Sequence, residues 1–440
     1  MSDDADPFLL PAGDVDTTFD VDLTSETVLL EGEDLTALET YDLETHQYIF
    51  DADRLRSSGV DFEEGSVLWI SGLALRRVNS VEERGSTLVV DTEFASLNEA
   101  ISDGTVGWDA DLGFTSSYTS EQFDRVAAED SVLGSSNSLG VSPASSTVAL
   151  ADVAVTNRAG EVMGRPTFQR VQNGDREVLQ LEFTQGTTDY VFGLTPMGDE
   201  VRLKAEMTSP SGSEANLRFT GIGTAKAVRA TGQVEYADSE LTAMDVEANQ
   251  LEGEIEIDIA AAGSGVEEET EIPLPGGFMF RHIFMVGAIP ITVTTSIELK
   301  ARINVVSNAS ATATSRFSFG GDTGFVYDGT EVVPEAAIGT LKIDPESADS
   351  GAYFGQPVHA GFGITFPRVS ISVFDQLLIP YVQVGMALNT SLSWGPVCKS
   401  SYIQLIVQAG YDLTILGVNL AAHETTLAEE TTEGDQEGCE

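Results

Sequence analysis

The chain has 440 residues, of which 71 are acidic and 22 basic, giving a formal net charge of −49. Hydrophobic residues make up 42% of it, enough for sizeable cores, so wholesale disorder is excluded. Nucleic acid is a poor partner, because phosphate binding needs clustered Lys and Arg, and no basic run is longer than Arg76-Arg77.

Residues 1–45 are strongly acidic and hold no Lys or Arg, with short apolar beads at Phe8-Leu9-Leu10 and Val28-Leu29-Leu30. They read as an extended acidic arm able to form weak strands. Residues 46–130 read as a small β-domain with short helices. Val67-Leu68-Trp69-Ile70, Ala74 to Val78 and Ser86 to Thr92 are strand-like, and Gly65, Gly72 and Gly85 stand where turns need positive φ. Arg76-Arg77 is expected as two solvated strand residues. Ser96 to Ile101 is a short helical turn, and Thr119 to Ala128 is the best helix candidate, with Ser120 as its cap. Residues 131–147 are Ser/Gly-rich, a linker composition.

Residues 148–425 read as one large antiparallel β-domain, and 426–440 as an acidic tail. Arg170 to Arg176 carries an Asn-Gly turn between strand-like flanks, a strong hairpin signal. Glu254 to Ile259 alternates acid and isoleucine. Ile291 to Val305 alternates over a length that predicts a strand of roughly 50 Å. Val382 to Trp394 and Ile403 to Ala409 repeat that pattern. Ala288-Ile289-Pro290-Ile291 and Leu378-Ile379-Pro380-Tyr381 open two similar units, which suggests a duplicated long hairpin with turns near Asn308 and Gly395-Pro396. The fold class is therefore mainly β: a small N-terminal β-domain, then a large antiparallel sandwich or elongated barrel with long hairpins.

Catalytic signatures are sparse. The four histidines, His46, His282, His359 and His423, show no metal-ligand spacing, and no His-Glu-x-x-His, Gly-x-Ser-x-Gly or P-loop occurs. Gly221-Ile222-Gly223 begins a dinucleotide fingerprint, but Lys226 replaces its third glycine. Acidic clusters such as Glu267-Glu268-Glu269 read as hydrated surface. The reading is non-enzymatic, with no catalytic, cofactor or metal residue assigned. Cys398 and Cys439 either pair and pin the tail or are unrelated thiols. Asn308-Ala309-Ser310 matches the glycosylation sequon and sits in an expected turn, whereas Asn389 falls inside an expected strand. Phe278 to Val286 is the densest apolar segment. It is either a central core strand or a docking element in which Phe278, Met279, Phe280, Phe284 and Met285 meet a partner or a membrane.

The stretch from Gly65 to Trp108, GSVLWISGLALRRVNSVEERGSTLVVDTEFASLNEAISDGTVGW, resembles a module at the front of large β-rich bacterial surface proteins. More broadly the chain resembles β-rich surface or virion structural proteins of haloarchaea, their viruses and bacteria. The resemblance covers about a tenth of the chain and implies no catalytic residues.

Only five of the 22 basic residues are lysine. At ordinary ionic strength so much charge strains a fold by self-repulsion. At molar salt the Debye length falls to about 3 Å. The balance predicts folding in near-saturated salt, in a halophilic archaeon or its virus. Residues 351–422 break the pattern, with only Arg368, Asp375, Lys399 and Asp412 charged. A stretch without acid in such a chain is expected to be covered, by the chain itself or by another copy. The leading expectation is a self-assembling structural or attachment protein, a homo-oligomer or larger assembly with other structural proteins. It is placed in a virion or on a cell surface, since neither a signal peptide nor an apolar helical span is evident. The alternative is an elongated β-barrel carrying an apolar ligand such as a lipid, and a third class is a glycan hydrolase using scattered carboxylates.

Overall fold

The computed structural model describes residues 15–42, 45–113, 145–150, 155–156, 162–164, 169–173, 176–185, 188–197, 199–208, 215–263, 268–273, 278–305, 310–343, 351–354, 358–374, 381–394, 399–410, 414–417 and 425–433. The fold is mainly β, and three sheets carry it. The largest sheet has twelve strands. Its path runs Val15–Leu23, Ile101–Leu112, Val228–Ala237, Glu240–Gly263, Ala215–Lys226, Glu200–Thr208, Thr188–Pro196, Arg176–Gln185 and Gln169–Asn173. Ser310–Tyr327 pairs the other side of Glu240–Gly263, and Val332–Ile343 follows it.

An eight-stranded sheet faces this one. Its order is Thr425–Glu433, Lys399–Gly410, Tyr381–Trp394, Val358–Val373, Ile289–Val305, Phe278–Val286 and Ser145–Leu150, with Glu268–Pro273 also on Ile289–Val305. Val15–Leu23 and Ile101–Leu112 meet Phe278–Val286 at one margin, and Val332–Ile343 meets Thr425–Glu433 at the other. The two sheets thus approach each other on both sides of a shared core. A smaller six-stranded sheet (Thr27–Leu30, Val67–Ile70, Ala74–Arg84, Thr87–Phe94, Gln47–Asp51, Leu38–Asp42) sits at one end.

Local chemistry explains many of these elements. Gly65, Gly72 and Gly85 adopt φ of 93°, 72° and 72°, the turn conformations expected of them. The Leu97–Ala100 turn is closed by Glu99, whose carboxylate accepts from the Ser96 backbone N–H at 2.7 Å. Asn173 faces Arg176 across the hairpin that the Asn-Gly pair foretells. In Glu240–Gly263 a register shift lies between Ala248 and Leu251. Met244, Val246 and Ala248 are buried before it and Ile255 after it. Acids at 245 and 247, then at 252, 254, 256 and 258, therefore alternate with the core on both sides of the shift, because one extra residue exchanges odd for even.

Several expectations are corrected. Ile289–Val305 and Ser310–Tyr327 do not form a hairpin; the first lies in the facing sheet and the second in the large one. Alternation fixes which face of a strand is buried but not which strand lies beside it. The second unit is a hairpin, with Trp394 opposite Lys399. Long hairpins occur elsewhere, as between Val228–Ala237 and Glu240–Gly263. The residues expected as an acidic arm are divided between two sheets: Val15–Leu23 joins the large sheet, and Thr27–Leu30 and Leu38–Asp42 join the small one. Ile101–Leu112 pairs Val228–Ala237, so the N-terminal region and the large β-region share a sheet. The start of the acidic tail is a strand, Thr425–Glu433. The expected helix at 119–128 and most of the 131–147 linker lie outside the described residues.

Arg76 also differs from expectation, whereas Arg77 is the solvated strand residue expected. Arg77 is half-exposed, 3.6 Å from Glu93 and also paired with Glu99. Arg76 is only 2% exposed. The strand is covered on both faces from Ala74 to Arg76, and the cover opens on one face at Arg77.

A single turn ties the sheets together. Gly287-Ala288 joins Phe278–Val286 to Ile289–Val305, and the Ala288 carbonyl accepts from Trp69 Nε1 at 3.3 Å and from the Gly72 N–H at 3.0 Å. Phe19 lies against Gly287 (φ 59°) and meets Trp69 edge-on, with ring centroids 6.2 Å apart. A side chain at 287 would displace the Phe19 ring, so this glycine permits the close approach.

Candidate functional site

Between the two large sheets, near the end covered by the small sheet, is an apolar chamber. Strand alternation builds it. Val106 and Trp108, Val234 and Tyr236, and Met244 and Val246 point inward from three neighbouring strands of the large sheet. Ile291 and Ile371 oppose them from the facing sheet, and Ile415 and Leu416 close one side. The chamber has about 40 Å3 of room for the centres of water-sized atoms. None of the described lining residues is charged.

Two of its lining residues carry polar atoms without partners. Trp108 is 7% exposed and Tyr236 is 4% exposed, and neither Trp108 Nε1 nor the Tyr236 hydroxyl makes a hydrogen bond. Burial pushes the Tyr236 hydroxyl pKa well above its ordinary value. Trp108 faces Gly232 across the strand pair, and its ring lies over that glycine, where a Cβ would collide with it. Behind this wall, on the solvent side, Arg229 Nε donates to Asp109 Oδ1 at 2.7 Å and its second nitrogen binds the other oxygen. That pair links the same two strands and holds the Asp109 carboxyl below its usual range.

His282 stands on the strand next to Ile289–Val305, opposite Val293, and is 6% exposed. Its Nε2 has no partner. Desolvation lowers its pKa to about 4, so the ring is neutral near pH 7. On the other face of the hairpin, Thr292 is fully buried and its hydroxyl is likewise unpaired.

A second polar cluster lies within the small sheet. Buried Arg76 donates from Nε to the Tyr48 hydroxyl at 3.4 Å and from Nη2 to His46 Nδ1 at 3.2 Å. A guanidinium only donates, so both partners accept. Burial raises the Tyr48 pKa and the Arg76 charge works against that rise. His46 has φ of 56°, and its carbonyl accepts from both Thr92 N–H and Thr92 Oγ1, at 3.1 and 2.8 Å.

Of the residues singled out from sequence, Phe284 is 2% exposed and faces Ile291 in the inter-sheet core. Met285 is partly buried. The docking expectation therefore fails at Phe284, because its strand is paired on both sides, to Ile289–Val305 and Ser145–Leu150. Phe278, Met279 and Phe280 lie in the same paired strand, and their side chains are outside the described set. Asn308, Cys398 and Cys439 also lie outside the described residues. Asn389 falls inside a paired strand, between Gly363 and Gln404. Gly221 to Lys226 is the end of a strand paired on both sides, not a phosphate loop. Among the described residues there is no group of three or more His, Cys, Asp or Glu placed to hold a metal ion, and no helix is long and apolar enough to cross a membrane. Sequence reasoning missed Trp108 and Tyr236. Their signal was an aromatic side chain with a polar atom at an inward position of an alternating strand.

No protein-family model, curated protein or solved structure matches this chain.

Proposed function

We propose that the protein is a non-enzymatic structural component that self-assembles through the outer face of its eight-stranded sheet, in the molar-salt setting that its composition suits. A virion or cell-surface layer of a halophile fits both traits. One observation carries this reading. In Val358–Val373, Tyr381–Trp394 and Lys399–Gly410 only Arg368 and Lys399 are charged, and none of the three strands holds an acid. The register puts Ser370, Gln383, Asn389, Ser391, Gln404 and Gln408 at positions on the face opposite to that of the core residue Ile371. Arg368 shares this face, which over these three strands holds no acid and many hydrogen-bonding residues, and such a face suits contact with another copy better than contact with brine.

The test is the oligomeric state of the full chain in about 3 M KCl, measured by light scattering after size exclusion. The wild type is expected to form a defined oligomer at micromolar concentration. Gln383→Glu with Gln404→Glu should convert it to monomer. Thr231→Glu with Thr242→Glu, on the large sheet, should leave it assembled. A monomeric wild type would overturn the proposal.

A further inference from the structure

We infer that the chamber between the sheets is a binding site for a small neutral molecule with a hydrocarbon body and one oxygen that accepts a hydrogen bond: a ketone, ether or ester. This goes beyond assembly and stands on separate residues.

The wall chemistry selects the ligand. Apolar contacts from Met244, Ile291, Ile371 and Leu416 favour a hydrocarbon body, and Met244 can adapt to its shape. Trp108 Nε1 is a donor with no acceptor of its own, and the Tyr236 hydroxyl can also donate. Both side chains are more than nine-tenths buried, so neither group recovers its hydrogen bond from bulk water. The missing partner is therefore an acceptor brought from outside. Among the described lining residues there is no arginine, lysine or histidine, so a carboxylate or phosphate would meet no countercharge from them. The described lining residues include no acid either, which disfavours a cation.

Water is a poor substitute. The chamber has room for more than one water. Each needs roughly two to four polar partners, and among the described lining residues the polar side-chain groups are Trp108 Nε1 and the Tyr236 hydroxyl. An acceptor oxygen on an apolar body can meet such a donor without bringing donors of its own that the wall would leave unpaired. The unpartnered Nε2 of His282, on a neighbouring inward-facing position, extends the same polar deficit beyond the chamber wall.

The experiment uses the full chain labelled with 5-fluorotryptophan, in about 3 M KCl. The protein has three tryptophans, Trp69, Trp108 and Trp394, and Trp108→Phe assigns the Trp108 fluorine signal. Titration with 2-hexanone is expected to shift that signal saturably. The shape-matched n-hexane should bind roughly tenfold more weakly, the worth of one net hydrogen bond. Tyr236→Phe should reduce the preference for the ketone several-fold and leave n-hexane binding unchanged. This variant removes an unpaired hydroxyl from the core and keeps its shape, so folding should survive. No saturable shift with 2-hexanone, or equal affinity for the two probes, would overturn the inference. So would a crystal structure with ordered water bridging Trp108 and Tyr236 that the ketone does not displace. The readout is local to Trp108, so it succeeds or fails independently of the oligomeric state.

Discussion

The Glu240–Gly263 strand of the large sheet and the Tyr381–Trp394 strand of the facing sheet both alternate, both are long and both contribute to one sandwich. The first carries seven acids in 24 residues, and the second carries no charge at all in 14. At the register positions that face the other sheet both strands carry mostly apolar residues. The difference lies wholly on their outward faces. In a chain of net charge −49, an outward face without acid is the exception that has to be explained. Apolar periodicity in this protein records which side of a strand is inside, and the acid is distributed between the sheets independently of it.

The largest expected effect comes from removing salt. Lowering KCl from about 3 M to 0.1 M lengthens the Debye length to roughly 10 Å and exposes the acids to one another. Most of the ~5–15 kcal/mol that holds a typical domain should be lost, read as a collapse of the β-sheet signal in circular dichroism. Amide exchange should rise first in Glu240–Gly263 and later in Tyr381–Trp394. Equal rates in both strands would break the comparison.

A smaller effect belongs to the facing sheet, through His282. Its folded pKa of about 4 lies below the ordinary 6.5, so the unfolded chain takes up the proton first. Its contribution is intact above about pH 6.5 and is lost as pH falls towards 4, about 3 kcal/mol in all. His282→Gln should flatten stability across that window in denaturant titrations. Asp328, held near 2 by Thr330 and backbone N–H groups, acts only at lower pH, between its ordinary 3.8 and about 2. Its window therefore does not overlap that of His282. A wild-type curve that stays flat between pH 6.5 and 4 would show that the ring finds a partner or water.

The smallest effect is expected on the acid-coated face itself. Lys226 and Glu252 approach to 2.5 Å but are both about half exposed. In molar salt Glu252→Gln should move Tm by no more than about 1 °C. A larger shift would mean that individual ion pairs, and not the summed field, set the stability of this sheet.

Much of the fold was legible because it is local. The glycine turns at 65, 72 and 85, the Ser96–Glu99 capping box and the hairpin after Asn173 each follow from a few adjacent residues. The long strand at Ile291–Val305 was legible from its alternation, since a half-buried strand needs no knowledge of its partner. The candidate site was not. Trp108 and Tyr236 lie on strands that pair directly although their sequence positions are far apart, and the opposite wall comes from Ile291, Ile371 and Leu416. Arg76 escaped for a related reason. Its strand was recognised, but the small sheet decided which of two adjacent arginines would be covered.

The sequence by itself determined the class of structure and the chemistry of its surfaces. Alternation, turn residues and the distribution of acid are properties of neighbouring residues, and the physics acting on them is local or screened by solvent. Tertiary structure alone decided the neighbours. It sent Ile289–Val305 and Ser310–Tyr327 to different sheets despite their similar patterns, drew Val15–Leu23 and Ile101–Leu112 into the large sheet, and enclosed two hydrogen-bonding groups without partners in an apolar chamber. Hydrophobic burial has no direction and rewards any apolar face that meets another. Which faces meet is therefore settled only when the whole chain closes.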